Sequence, residues 1–122
     1  MAKKVKKSWI VLIGAGGSLV DELLVALRAE SALDKYKIDS ANISSVLAMA
    51  PDEREKCVII YVRVPYFLRV SRLLRAGIQN CEEVALNEIT LYADAERVAD
   101  LTVRNFVISN SVAEILEYFR KR

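Results

Sequence analysis

The sequence predicts an α+β fold, a ferredoxin-like split βαβ sandwich with a C-terminal extension, and three observations lead there. A short apolar run closed by glycine, SWIVLIG (8–14), passes at once into a helical period. A proline-led polar segment, PDEREK, separates two apolar runs, ISSVLAMA (43–50) and CVIIYVRV (57–64), and reads as the turn of an antiparallel hairpin. A helix with arginine at every third position, PYFLRVSRLLRAG, follows that hairpin. The resulting order is βαββαβ and then αβα. A second reading stays open, an α/β flavodoxin-like three-layer sandwich, in which YKIDSANI is the strand and SSVLAMAPDEREK a helix interrupted at Pro51. Proline disfavours helix in the residue before it and removes an amide donor, so the hairpin is the expected form.

The first helix is read from GSLVDELLVALRAESAL, where Leu19, Leu23 and Leu27 form one stripe with Leu24 beside it. Ser18 is its expected N-cap, and Asp21 and Glu22 suit the positive end of the helix dipole. The arginine-bearing helix has Pro65 as its expected first residue and Gly77 as its stop. Its expected inner stripe is Phe67, Val70 and Leu74, with Leu73 flanking. After it, EEVALNEITLY (82–92) reads as a strand, ADAERVADL as a short helix and RNFVIS as another strand. SVAEILEYFRKR closes the chain as an amphipathic helix with Val112, Ile115, Leu116 and Phe119 inward.

With 122 residues the chain is expected to be one domain over 8–122, preceded by a basic arm over 1–7 that carries Lys3, Lys4, Lys6 and Lys7. A hydrophobic content of 53% argues against disorder, and 28% charged residues scattered throughout argue against a membrane protein. The longest uncharged stretch, Ser8 to Val20, is too short to span a bilayer, and no secretory signal follows the lysines. A cytoplasmic location is therefore the expectation. The chain has no histidine, so the commonest general base and the Ser–His and Cys–His pairs are excluded. The two cysteines, Cys57 and Cys81, form no CxxC pair and give too few ligands for zinc; they are expected to be buried thiols. No catalytic residue, metal or cofactor is expected.

GAGGS (14–18) lies where a strand hands over to a helix, a place that gathers backbone N–H groups toward an anion. Gly14, Gly16, Gly17 and Ser18 are thus a candidate anion-binding loop, alongside the plainer reading of a tight turn. The dinucleotide fingerprint needs glycine where Leu19 stands, and the Walker form needs a GK[ST] that is absent. The stretch resembles the first loop of the sugar-phosphotransferase IIB family, but Ile13 stands where that family has a phosphorylatable cysteine. Receiver domains need strand-end acids where Ile13 and Gly14 stand. In the flavodoxin-like reading the domain is a degenerate relative without phosphotransfer, acting in regulation or protein interaction. Arg69, Arg72 and Arg75 share a third of their helix's circumference, and Arg63 leaves the preceding strand nearby with Tyr61 on the same strand face. These residues could hold a phosphate backbone and stack a base, or form a solvated face paired with acids. The N-terminal lysines read equally as a clamp on a polyanion and as a solubilising tail.

The run YKIDSAN…VLAMAPDEREKCVIIYVRVPYFLRVSRLL…EEVALNEITLYADAERVADL resembles the small ferredoxin-like protein subunit of archaeal and eukaryotic ribonuclease P, over residues 8 to 101. Where that family has a Ser-Gly-Thr motif, this chain has Tyr92, Ala93 and Asp94. The resemblance implies a non-catalytic, RNA-binding subunit of a ribonucleoprotein acting in maturation of the tRNA 5′ end beside a protein partner. It places RNA contacts on Arg63, Arg69, Arg72 and Arg75, with Lys3, Lys4, Lys6 and Lys7 assisting.

Overall fold

Two strands with near-continuous apolar sequence, β1 (Trp9–Ile13) and β3 (Cys57–Arg63), lie side by side at the centre of a four-stranded sheet. The computed structural model describes residues 7–121. The strand order is β2-β1-β3-β4, with β2 spanning Lys37–Ser40 and β4 Leu101–Arg104, and every pairing is parallel. Ile10 sits between Ile38 and Val58, and Ile60 sits beside Leu101. Buried on both faces, β1 and β3 are apolar at consecutive positions, as the central strands of a parallel sheet must be.

One face is covered by α1 (Val20–Arg28) and α7 (Ile108–Arg120), whose Leu23, Leu27, Val112 and Ile115 meet Ile10, Leu12, Val58 and Ile60. The opposite face packs Val11, Ile13 and Ile59 against Ile43 and Val46 of α2 (Ile43–Leu47), Ala95 of α6 (Ala95–Val98) and Tyr92. The protein is thus a mixed α/β domain with a parallel sheet between helical layers.

The expected hairpin is not formed, and with it goes the antiparallel, ferredoxin-like arrangement. Residues 43–47 are helical, and Asn42 caps them by accepting from the Ser45 amide at 2.8 Å. Pro51 does restrict its neighbour, since Ala50 is extended at φ −65° and ψ 149°, but it does so as the first residue of a new helix, α3 (Pro51–Glu55). Proline's missing amide is harmless there, so Pro51 separates two short helices where a turn between strands was expected.

Three further boundaries differ. Of residues 82–92, expected as a strand, 82–91 lie in α5 (Cys81–Leu91) and Tyr92 is its C-cap. Glu82 and Glu83 favour its positive end, and Ala85, Glu88 and Tyr92, at helical spacing, all turn inward. The last strand is β4, ahead of the expected RNFVIS, because α7 begins at Ile108. Pro65 is the N-cap of α4 (Tyr66–Arg75) and not its first residue; Gly77, at φ 79°, ends it with Gly77 N–H to Leu74 O at 3.0 Å and Ile78 N–H to Leu73 O at 3.1 Å.

The orientation of α4 is reversed from the expected one. Arg69 and Leu73 are its buried residues, while Phe67 is 72% and Leu74 66% exposed. At the sheet's open β2 edge, the Arg28 guanidinium donates to Ile38 O at 2.7 and 2.9 Å and pairs with Asp39 at 3.0 Å.

Candidate functional site

The carboxyl ends of β1 and β3, where the strand order reverses, carry the glycine loop and two adjoining clefts. In open parallel sheets this is where ligands enter. Gly17 has φ +82°, and a Cβ there would come within 2.6 Å of Arg69 O; only glycine lets the loop lie against the α4 backbone. Ser18 does not cap α1. Its hydroxyl turns back to Ala15 O, and Leu19, left-handed at φ 62°, takes the N-cap position without a side-chain bond.

Several of the loop's polar groups are answered from within the chain. Glu88 of α5 accepts from the Gly16 amide through Oε2 at 2.8 Å and pairs through Oε1 with Arg69 Nη1 at 3.2 Å. Arg69, buried, also donates to Ala85 O at 2.8 Å. Arg72 donates to Gly17 O at 3.1 Å and to Asn105 O and Phe106 O at 3.0 and 3.2 Å. Buried Asn105 donates to Ser18 O at 2.8 Å and accepts from the Ser111 hydroxyl at 2.8 Å, and Tyr92 OH donates to Gly14 O at 3.0 Å. A carboxylate therefore occupies the Gly16 amide, and Arg72 of α4, Tyr92 just after α5 and Asn105 just after β4 hold the loop's carbonyls.

Beside the loop opens a cleft of about 400 Å³ bordered by Asp21, Glu22, Asn42 and Arg72. A narrower one of about 260 Å³ is lined by Tyr61, Arg63, Tyr66, Arg69, Glu88 and Tyr92. Tyr61 and Tyr92 stack with centroids 6.1 Å apart and planes 11° apart. Burial pushes both phenols above their ordinary range, so they are neutral O–H groups through neutral pH. Burial also pulls the Arg72 guanidinium below its usual value, without approaching loss of charge at neutral pH.

The arginines read as one exposed stripe are not brought together on one surface. Arg69 and Arg72 point into the protein, while Arg75 is exposed and has no hydrogen-bond or ion-pair partner among the described residues. Arg63 is exposed, lies in register beside Arg104 and meets Glu96 at 3.5 Å. Tyr61 is covered by Tyr92. Lys3, Lys4 and Lys6 lie outside the described residues, and Lys7 donates to Cys57 O at 3.2 Å. Cys57 is buried, which raises its thiol pKa, and Cys81 is half-buried. Among the described residues no cluster of His, Cys, Asp or Glu could hold a metal, and no helix is long and apolar enough to cross a membrane.

Glu88 and Asn105 are the residues a reading of the sequence misses. Both lie in segments whose sequence predicts strands, and the signal that identifies Glu88 is the helical spacing of Ala85, Glu88 and Tyr92.

No protein-family model matches the chain, and no curated protein matches it. Solved structures do. A shikimate kinase from Acinetobacter baumannii in complex with shikimate superposes with a TM-score of 0.72 at 12% identity, over 94% of each chain. An uncharacterized protein from Eubacterium ventriosum gives 0.64 at 10% identity, over 95% of this chain and 100% of that one. At such identities the shared property is the fold, a parallel α/β sheet between helices.

Proposed function

We propose that this chain is a regulatory or protein-interaction domain without phosphotransfer, of doubly wound, flavodoxin-like strand order, in which the glycine loop braces the fold and binds no phosphate. The observation that carries the reading is the Glu88 carboxylate on the Gly16 amide, 2.8 Å away, anchored by buried Arg69. A nucleotide phosphate entering here would have to displace that carboxylate and pass Asp21 and Glu22 at the rim of the cleft. The loop also lacks the lysine with which a Walker loop reaches phosphates. The kinase neighbour is described in complex with shikimate, so shikimate belongs among the probes. Calorimetric titration of the full chain with Mg·ATP, inorganic phosphate and shikimate is expected to show no saturable binding up to about 1 mM, a free energy of roughly −4 kcal/mol. Saturable binding of Mg·ATP by the unaltered chain overturns the reading.

An RNA-binding subunit of a ribonucleoprotein is the second reading. It would draw on exposed Arg63 and Arg75, the adjacent Arg104 and the N-terminal lysines, since Arg69 and Arg72 are bonded internally. Salt-dependent RNA retention by the full chain that falls by about one unit of slope in Arg75→Ala would favour it over the interaction domain.

A further inference from the structure

Helix α4 exposes the side that its sequence would bury. Phe67, Val70 and Leu74 follow one another at helical spacing, and Ile78 continues the strip past the helix end. Phe67, Leu74 and Ile78 are 72%, 66% and 43% exposed. Across the contact between α4 and α5, Leu86 is 55% exposed. The groove between the helices, about 620 Å³, is lined by Val70, Leu74 and Leu86 on its apolar side and by Cys81, Glu82 and Glu83 at one end. Inverting an amphipathic helix leaves its apolar stripe in water, an arrangement that pays only where something covers the stripe.

The charges around this strip identify the cover. Glu82 and Glu83, in the first turn of α5, line the groove with Leu74, and exposed Arg75 follows Leu74 directly at the C-terminal end of α4. None of the three has an ion-pair partner among the described residues. An apolar surface that carries both an unpaired cation and unpaired anions has the makings of a contact with its own copy. A twofold axis through it sets Arg75 of each copy against Glu82 and Glu83 of the other and buries Phe67, Leu74 and Leu86 between them. The net charge of only +2 gives two copies little reason to repel.

We infer that the α4–α5 face is the interface of a symmetric homodimer, closed by reciprocal contacts of Arg75 with Glu82 and Glu83. This rests on the reading of the chain as an interaction domain and names its partner as a second copy.

Sedimentation equilibrium of the full chain tests it. The unaltered chain is expected to sediment as a dimer at about 100 μM, and Leu74→Asp to weaken the association at least about tenfold, as burial of a central apolar anchor requires. Because Leu74 is exposed, the variant keeps the thermal midpoint of the parent at a dilution where both are monomeric. Arg75→Glu weakens association as well, and Arg75→Glu combined with Glu82→Arg and Glu83→Arg restores it. A monomer throughout the concentration range overturns the inference, as does a dimer indifferent to Leu74→Asp. A dimer that Leu74→Asp weakens but that Arg75→Glu leaves unchanged, or that the triple charge exchange fails to restore after Arg75→Glu, overturns the twofold pairing. A monomer that also ignores Mg·ATP sinks the dimer and leaves the interaction-domain reading standing, whereas binding of Mg·ATP sinks that reading whatever the mass.

Discussion

Helices α4 and α7 are both amphipathic, yet they face the protein with opposite sides. In α7, Val112 and Ile115 enter the core beneath β1 and β3, and Glu114 and Arg120 face water. In α4, Arg69 and Leu73 turn inward, and Phe67 and Leu74 face outward. The periodicity of a helix specifies that an apolar stripe exists but not what covers it. Where an element meets a bare apolar sheet, as α7 does, the stripe goes in. Where it meets the end of the sheet and a loop full of unpaired carbonyls, guanidinium groups satisfy that environment better, and the stripe is released to another partner.

Three substitutions test the contrast, in descending order of effect. Ile115→Ala, on the inner side of α7, removes a fully buried side chain and is expected to lower stability by about 3 kcal/mol in urea unfolding. Arg69→Ala, on the inner side of α4, leaves Glu88 without its cation. Because the Glu88 side chain keeps 20% exposure, a loss of about 2 kcal/mol is expected, short of the cost of breaking a fully buried pair. A loss below about 0.5 kcal/mol would mean that the inward arginine holds nothing, and the contrast between the helices would dissolve. Phe67→Ser, on the outer side of α4, should change the unfolding free energy by no more than about 0.5 kcal/mol in dilute solution. A large loss there would show that Phe67 is packed within its own chain.

Local signals carried much of the architecture. The two central strands, the first helix with Leu23, Leu24 and Leu27 inward, and the closing helix with Val112 and Ile115 inward all follow from runs that a single neighbour, the sheet, explains. The region around Pro51 could not be settled locally, since proline is as content to begin a helix as to sit in a turn, and only the pairing of β1 with both β2 and β3 decides between them. The β-forming residues of 82–92 suggested a strand, and packing of Ala85 and Tyr92 prevailed over that preference. At the candidate site, the glycine loop was visible and its occupancy was not. Glu88 lies 72 residues from the amide it holds, a separation that no local pattern spans.

The guanidinium of Arg28 has an effect beyond its own bonds. A parallel sheet that ends on a four-residue strand offers its outward carbonyls to any stray polypeptide, and Ile38 O is one of them. By taking that carbonyl twice, the arginine denies an added strand its foothold, and Lys37 on the same rim adds a charge that an intruder would have to desolvate. Growth by edge-to-edge stacking into fibres is thereby obstructed on this flank.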